Sequence, residues 1–234
     1  MKKSKLRAIC LMLIISITAA LIPQTVSANQ QSPTKTWDFE RIEEAGGIVG
    51  NSIITTERLI LRPWRDTDAE SLYTYAKDPA VGPIAGWPVH TSVENSLEII
   101  KNVLSADETY AVCLKEDNRA IGSIGLIPPA QSHTQASDTE MEMGYWIGVP
   151  FWGNGYIPEA VKALQKHAFE DLGCKAMWCG YYDGNEKSKR CQEKCGFKYH
   201  HTEKNKPCAL MGDIRTEHFT YLTKEQWEKN ASLL

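Results

Sequence analysis

FWGNGYIP, residues 151–158, decides the fold: it lies between a predicted strand over 140–148 (EMEMGYWIG) and a predicted helix over 158–173 (PEAVKALQKHAFEDLG). Gly153 and Gly155 let the backbone bend tightly, and the N–H groups that open the next helix then face an anion that the helix dipole attracts. A pyrophosphate is the anion that such a loop is best suited to bind. The third glycine of a dinucleotide-binding fingerprint is absent at Pro158, and the Gly-Lys-Ser/Thr of a P-loop is absent too. On this stretch alone, a tight turn without a ligand is an equal alternative.

The elements on either side of this loop predict the fold class. Alternating apolar residues in RLILRPW (58–64) indicate a strand, and two helical segments follow it before residue 105. YAVCLKE (110–116) and AIGSIGLI (120–127) indicate a hairpin, and 128–140 indicate a polar surface loop. A strand, a short helix and one or two further strands come after the helix that follows the glycine loop. This order predicts an α+β (mixed αβ) fold rather than a doubly wound dinucleotide fold.

The composition is that of a folded, acidic protein. The chain has 234 residues, of which 42% are hydrophobic and 24% are charged, and this excludes collagen-like and charge-rich disordered chains. Beyond residue 28 it carries 22 basic and 29 acidic residues, a net charge of −7. Because a nucleic-acid surface needs positive charge, we predict no nucleic-acid partner. We predict one domain over 53–234, preceded by a linker over 29–52 that is rich in Gln, Ser, Thr and Gly.

Residues 1–28 have the organisation of a secretory signal peptide. A basic start, MKKSKLR, precedes the apolar stretch AICLMLIISITAALI, and Val26-Ser27-Ala28 has the small-x-small pattern of a signal-peptidase site. An uncleaved signal anchor is the alternative, because Leu21 and Ile22 lengthen the apolar run toward that of a membrane span. Both alternatives predict an exported or membrane-anchored domain that faces outside and meets the membrane only through this segment. A cytoplasmic protein, left inside by inefficient export, is a third possibility.

Six cysteines lie beyond residue 28, an even number that would fit three disulfides in an exported protein. Their positions favour buried free thiols. Cys113 lies in an apolar strand segment, and Cys191 and Cys195 would share one face of a helix. Because the sequence has no CxxC pair, we predict no metal site.

Two longer stretches carry a resemblance to a known family. EMGYWIGVPFWGNGYIPEA (142–160), followed by NEKSKRCQEKCGF (185–197), resembles the acetyl-CoA-binding core of the GNAT superfamily of N-acetyltransferases. RLILRPWRDTDAESLY (58–73) resembles the first strand and helix of the branch that acetylates ribosomal-protein amino termini, the Rim-like acetyltransferases. The resemblance covers residues 53–228. It implies a central, twisted, mostly antiparallel sheet of six or seven strands, flanked by about four helices.

The resemblance also implies what individual residues do. Acetyl-CoA would be the acetyl donor, without a metal, and Glu142 would take a proton from the incoming amine through water. Ser188 would give a proton to the departing CoA thiolate. The residues implied to bind the CoA pyrophosphate and pantetheine are Ile147, Gly153, Asn154, Gly155, Tyr156 and Asn185. The alternatives are structural: a salt-bridged strand carboxylate for Glu142, and a helix hydroxyl bonded to the backbone for Ser188.

Four positions depart from the family pattern. Trp152 stands where Gln or Arg is common, Ile157 where a small residue is usual, and Pro158 removes a backbone donor at the helix start. Gln192 stands where many relatives carry a tyrosine that acts as general acid. Ser188 or bound water would therefore have to serve instead.

The predicted function is direct transfer of an acetyl group from acetyl-CoA to a primary amine, either a peptide amino terminus or a small amine. An exported, non-catalytic binding domain of the same fold is the alternative, since acetyl-CoA is a cytosolic metabolite. In this fold the first two helices and the last strands commonly wall the acceptor cleft, although aromatic residues there are more often core. The candidate residues are Trp64, Tyr73, Trp87, His90, Tyr145 and Trp146.

Overall fold

The computed structural model of the protein describes residues 52–232. The predicted signal segment, 1–28, lies outside these residues, and so does the predicted linker apart from its last residue. Within the described part no helix combines the length and the apolar character that crossing a bilayer would require.

Eight strands and six helices make up the described part of the chain. The strands are β1 (Ile54–Thr55), β2 (Leu59–Pro63), β3 (Thr109–Leu114), β4 (Ala120–Ile127), β5 (Glu140–Ile147), β6 (Ala176–Tyr182), β7 (Lys198–Cys208) and β8 (Asp213–Thr223). The helices are α1 (Ala69–Ala76), α2 (Gly82–Ala85), α3 (Val93–Ile99), α4 (Tyr156–Lys166), α5 (Glu186–Lys194) and α6 (Lys224–Ala231). Turns of π-helix extend α3 over Ile100–Leu104 and α4 over His167–Asp171.

All eight strands join in one sheet, in the order β1-β2-β3-β4-β5-β6-β8-β7. Every neighbouring pair is antiparallel except β5 and β6, which run parallel. The predicted α+β class with a mostly antiparallel sheet is therefore confirmed. The counts exceed the prediction because β1 has two residues and α2 has four, too short to leave a periodic pattern in the sequence.

Helices cover both faces of the sheet, so its central strands are buried on both sides. On one face, α4 and α5 pack on a core that includes Phe169, Met143 and Cys191. On the other face, α1 and the end of α3 pack on a core with Trp64, Trp87 and Trp146. Strand β3 is buried along its whole length, as expected for a strand covered on two sides.

The cysteines confirm the prediction made from their spacing. All six in the described residues are buried and free. Five of them pack as small apolar side chains within the two cores, and the sixth, Cys208, lies against Gly86 and Tyr182.

Strand β7 lies at one edge of the sheet and is mostly exposed. Its pairing with β8 is irregular at two places, between Tyr199 and His201 and between Glu203 and Lys206. Such bulges bend and twist a strand locally. The second one precedes Lys206, whose ammonium group turns back toward β8, where its Nζ lies 3.0 Å from Glu217 Oε2.

A buried ion pair joins β2 to the start of α1. Arg62 is 3% exposed, and its Nη1 and Nη2 donate to the two carboxylate oxygens of Asp68 at 2.7 and 2.9 Å. The remaining guanidinium donors bind the Pro63 carbonyl and the side chain and carbonyl of Asn118. All five N–H donors of Arg62 are thus used, which is the condition under which a buried charge is tolerated.

Asp68→Ala tests this ion pair, because it leaves the Arg62 guanidinium buried without its counter-ion. We expect the free energy of unfolding to fall by about 3–5 kcal/mol, measured by urea denaturation. The control is Asp66→Ala, which removes an exposed carboxylate paired with Lys101, and we expect it to cost less than about 1 kcal/mol. Equal losses for the two variants would contradict the structural role of Asp68.

Candidate active site

The glycine loop has the conformation that its sequence predicts. Gly153 and Gly155 have φ angles of +80° and +79°, in the left-handed region that other residues rarely adopt. A Cβ at Gly153 would meet no atom within 4 Å, so there the backbone angle rather than crowding requires glycine. Tyr156 then opens α4, and no side chain caps that helix end. The first backbone N–H groups of α4 are therefore available to an anion.

Helix α4 begins two residues earlier than the sequence predicts, at Tyr156 instead of Pro158. Pro158 consequently occupies the third helical position. The N–H groups of the first turn have no partner inside a helix, so a proline there sacrifices no internal hydrogen bond. The departure from the family pattern at Pro158 therefore costs the helix nothing, although it removes one possible donor to an anion.

Arg58 fastens the loop to the rest of the domain, a role that the sequence did not reveal. Its Nη1 donates to the Asn154 carbonyl at 3.0 Å, and its Nε donates to Glu159 Oε2 at 2.7 Å. The guanidinium carbon lies 4.6 Å from the centre of the Tyr156 ring. Arg58 thus fixes the end of the loop that leads into α4, and its guanidinium, ion-paired with Glu159, lies beside the α4 N-terminus.

The parallel pair β5–β6 opens a pocket in the sheet. Its pairing covers Glu140–Met143 with Ala176–Cys179 and then stops, while β5 continues to Ile147 and β6 to Tyr182. The two strands therefore part and leave between them a pocket that is open to solvent. Its lining includes Tyr145, Gly180, Tyr182, Asn185, Ser188 and Glu217.

Two of the predicted site residues, Asn185 and Ser188, reach this pocket from α5. Asn185 is the N-cap of the helix, and its Oδ1 accepts the Ser188 N–H at 3.2 Å. Capping uses the side-chain oxygen of Asn185, whereas its side-chain N–H groups make no hydrogen bond to the described residues. The Ser188 hydroxyl contacts Tyr145 Oη at 3.2 Å and accepts from Gln192 Nε2 at 3.1 Å.

Glu142 lies on β5 but not in the pocket lining. It is 0% exposed, and its Oε2 accepts from Ser132 at 2.8 Å and lies 3.1 Å from His133 Nδ1. Its Oε1 has no hydrogen-bond partner among the described residues. Ser132 and His133 belong to the loop between β4 and β5, which the sequence predicts to lie on the surface. His133 instead turns inward. The sequence predicted only that it lies in a polar loop, not that its side chain is buried against Glu142.

A second carboxylate, that of Glu217 on β8, lines the pocket directly. It is 2% exposed and its Oε1 lies 2.9 Å from His133 Nε2, so one imidazole bridges Glu142 and Glu217. A Cβ at Gly180 would stand 2.8 Å from this Oε1. The absence of a side chain at Gly180 therefore lets the carboxylate reach the backbone where β5 and β6 part. A glycine within a predicted strand, here Gly180, was the one sequence feature that could have predicted the close approach of a side chain to the backbone.

Burial and charge act against each other in this cluster. Burial lowers the pKa of His133, but attraction and hydrogen bonding from Glu142 and Glu217 outweigh it and raise the pKa to about 9. Burial raises the pKa of Glu217, and His133 together with Lys206 outweighs that effect, so the pKa is lowered. At neutral pH the cluster therefore contains an imidazolium between two elements of the sheet and an ionised Glu217.

Most of the aromatic residues predicted for the acceptor cleft lie elsewhere. Trp64, Trp87 and Trp146 are buried in the core beneath α1 and α3. His90 is also buried, bonded to Ser96, and burial lowers its pKa to about 4, so it is a neutral core residue. Tyr145 alone among the candidates lines the pocket, because its strand position turns it toward α5.

The described residues offer no metal site. No group of three or more His, Cys, Asp and Glu side chains in residues 52–232 is arranged to hold a metal ion.

His133→Gln tests the charged cluster. The cation contributes stability that is complete below its unfolded pKa of about 6.5 and is lost as the pH rises through about 9. We expect the variant to be less stable than the parent by about 3 kcal/mol at pH 6, and this difference to shrink toward pH 10. Urea denaturation across that range measures it. His200→Gln, on exposed β7, is the control; a His133 difference independent of pH would contradict the assignment.

Comparison with known proteins agrees with this geometry. Residues 58–198 match the family described as an acetyltransferase (GNAT) domain. The uncharacterized N-acetyltransferase YoaA of Bacillus subtilis (strain 168) is 28% identical over 151 residues, which span 62% of this chain and 82% of that protein.

Two solved structures share the fold. An acetyltransferase (GNAT family) from Bacillus anthracis superposes with a TM-score of 0.65 at 21% identity, over 74% of this chain and 99% of that one. A Vibrio cholerae protein described as "a putative ribosomal-protein-serine acetyltransferase" gives a TM-score of 0.61 at 19% identity, over 75% of this chain and 99% of that one. With the glycine loop, the parted strands and the family match together, the chain belongs to the GNAT acetyltransferase family and is an acetyl-CoA-dependent acyltransferase.

Proposed function

We propose that this protein transfers the acetyl group of acetyl-CoA directly to a cationic primary amine, in the pocket between β5 and β6. The observation that carries the proposal is that Ser188 and Glu217 reach the same opening from opposite faces of the sheet. Direct transfer needs the thioester and the amine to be bound together, and a gap in a sheet lets the two meet from either side.

The alternation of side chains along a strand supports the two-face arrangement. Cys179 packs in the core beneath α4 and α5, where Ser188 also lies, so the next residue, Gly180, faces the other side. Glu217 pairs with Tyr182, two residues beyond Gly180, and its carboxylate lies against Gly180 on that second face. A donor bound near α4 and α5 would therefore be separated from Glu217 only by the opening.

The residues at the loop suit the phosphates of acetyl-CoA, which supplies the activated acetyl group. Gly153 and Gly155 place no side chain of their own over the α4 N-terminus, and the Arg58 guanidinium, ion-paired with Glu159, lies beside it. We assign pyrophosphate binding to Gly153, Asn154, Gly155 and Tyr156. Ile147 and Asn185 remain our candidates for pantetheine contact, at the end of β5 and at the pocket wall respectively.

Glu217 is the group that we propose to take the proton from the acceptor. An amine attacks a thioester only as the free base, so its ammonium form must lose a proton. Glu217 is ionised, nearly buried and part of the pocket wall, whereas Glu142 is separated from the pocket. We therefore place Glu142 behind it, where it holds His133 against Glu217.

Ser188 is the proposed proton donor to the sulfur that leaves. Its hydroxyl lines the pocket on the face where the thioester would lie. Protonation prevents a free thiolate from accumulating as the C–S bond breaks.

The acceptor class follows from the charge and shape of the pocket. The carboxylate of Glu217 favours a cation, and Ile84 and Ala85 of α2 provide an apolar wall for carbon atoms beside the amine. A peptide amino terminus and a small amine both fit. The Rim-like resemblance and the description of the Vibrio cholerae neighbour support the peptide amino terminus. Family membership supports an enzyme over a non-catalytic binding domain.

Gly155→Asp tests the acetyl-CoA site, because it places a carboxylate where we expect the pyrophosphate. We expect calorimetry to show acetyl-CoA affinity reduced about a hundredfold or more. Gly173→Asp is the control: Gly173 also has a positive φ, +71°, but lies beyond the other end of α4, and a Cβ there would meet no atom within 4 Å, whereas one at Gly155 would lie 3.5 Å from Arg58 Nη2. Unchanged affinity in Gly155→Asp, or an equal loss in both variants, would contradict the assignment.

Glu217→Gln tests the proton acceptor. We expect kcat to fall about a hundredfold at pH 7, with acetyl-CoA affinity unchanged, because the amide cannot take a proton from the ammonium. Glu203→Gln is the control, since Glu203 also pairs with Lys206 but is absent from the pocket lining. If the Glu217 variant kept its full kcat, another group would have to accept the proton.

A further inference from the structure

Gln192 occupies the position at which many relatives carry a catalytic tyrosine, and it is fully buried on α5. Its amide makes three hydrogen bonds. Oε1 accepts from Thr220 Oγ1 at 2.7 Å, while Nε2 donates to the Gly180 carbonyl at 3.0 Å and to Ser188 Oγ at 3.1 Å. A flipped amide would set Oε1 against the Gly180 carbonyl, with two acceptors in contact. The partners therefore fix the orientation of the amide.

This amide gives the Ser188 hydroxyl a direction. A hydroxyl has a single hydrogen, and Ser188 Oγ already accepts the N–H of Gln192, so its own hydrogen must point elsewhere. Tyr145 Oη lies 3.2 Å from Ser188 Oγ and 3.2 Å from the Ser188 carbonyl. Because the carbonyl can only accept, it takes the tyrosine hydrogen, and the serine hydrogen then points to Tyr145 Oη. Both side chains line the pocket, so the Ser188 hydrogen lies at the pocket wall, bonded to Tyr145 Oη.

We propose that Gln192 is a positioning residue for acetyl transfer, which turns the Ser188 O–H toward the pocket and stabilises the oxygen as it loses its proton. The inference rests on the proposed function, in which Ser188 protonates the sulfur. Once Glu217 has taken one proton, the amine nitrogen bonds to the carbonyl carbon. The C–S bond then breaks with its electron pair on sulfur, the Ser188 proton passes to that sulfur, and the nitrogen gives up its second proton to solvent. Negative charge then develops on Ser188 Oγ, where the Gln192 N–H already points, and solvent returns the proton afterwards.

The Gln192 side chain also stabilises the backbone where β5 and β6 part. Gly180 is the first residue of β6 beyond its pairing with β5. Gln192 gives its carbonyl a hydrogen bond that a continued strand pair would otherwise supply. A tyrosine at position 192 would offer one hydroxyl hydrogen, whereas the glutamine amide offers two. The glutamine can therefore satisfy the strand and orient the serine at once.

A double-mutant cycle tests the proposal, with Gln192→Met, Ser188→Ala and the pair combined. Methionine keeps the length of glutamine but donates no hydrogen bond. Turnover is followed as CoA thiol released from acetyl-CoA, with and without an amine acceptor, and acetyl-CoA affinity and thermal stability are measured in parallel. Gln165→Met is the matched control, because Gln165 is 2% exposed and donates to the Cys195 carbonyl, away from the pocket.

We expect Gln192→Met to lower kcat about tenfold and Ser188→Ala about a hundredfold, each with acetyl-CoA affinity within about twofold of the parent. In the Ser188→Ala background, Gln192→Met should change kcat by less than about twofold, since its effect passes through Ser188. Gln165→Met should lower stability and leave kcat unchanged.

Three results would overturn the proposal: multiplicative effects in the double variant, a Gln192→Met loss that appears in acetyl-CoA affinity instead of kcat, or full activity in Ser188→Ala. The first two results leave the proposed function standing, and the third removes only its proton donor. A failure of acetyl transfer itself would appear in the parent protein, which would then not bind acetyl-CoA or transfer acetyl groups to amines.

Discussion

The site depends on one constraint in the sheet, the short parallel pairing of β5 and β6. Buried backbone N–H and C=O groups need hydrogen-bond partners, and the pairing of β5 with β6 stops supplying them after Met143 and Cys179. On their outer sides β5 stays bonded to β4, and β6 stays bonded to β8. The opening is therefore held between two regular ladders instead of forming at a loose edge. Helix α5 supplies Ser188 to one face of this opening, and β8 supplies Glu217 to the other.

The Arg62 ion pair and the cluster around His133 differ in how many of their buried polar atoms have hydrogen-bond partners. This difference distinguishes a purely structural group from one suited to chemistry. Every donor of Arg62 binds a fixed partner, so Arg62 holds β2, the start of α1 and the β3–β4 turn at Asn118 together. In the cluster around His133, Glu142 Oε1 has no hydrogen-bond partner in the part of the chain described, and Glu217 borders open space. Buried polar groups that lack full satisfaction are typical of sites where charge or protons must move. Burying the Glu142 and Glu217 side chains costs desolvation free energy, which hydrogen bonding and attraction to His133 offset.

Local signals predicted much of this structure, and long-range contacts account for what they missed. Gly153 and Gly155 could be predicted to form a tight loop because a positive φ angle strongly favours glycine. The spacing of Cys191 and Cys195 likewise predicts that both lie on one buried face of a helix. The sequence also placed Asn185 and Ser188 through their motif. It could not place His133 or Glu217, because their meeting joins residues 84 positions apart and depends on how the β4–β5 loop folds back. The aromatic candidates failed for a related reason: Trp64, Trp87 and Trp146 pack together beneath α1 and α3, and only strand parity turned Tyr145 toward the opening.

Strand β7 has a consequence for how copies of this protein behave beside one another. An exposed strand at the edge of a sheet can pair with the edge of another molecule and begin an aggregate. Here Lys198, Lys204 and Lys206 place positive charge along the strand, Pro207 removes a donor, and the two bulges break its regular spacing. The bulge that brings Lys206 to Glu217 therefore also protects the protein against edge-to-edge assembly, so a substitution that straightens this part of β7 would favour association between copies.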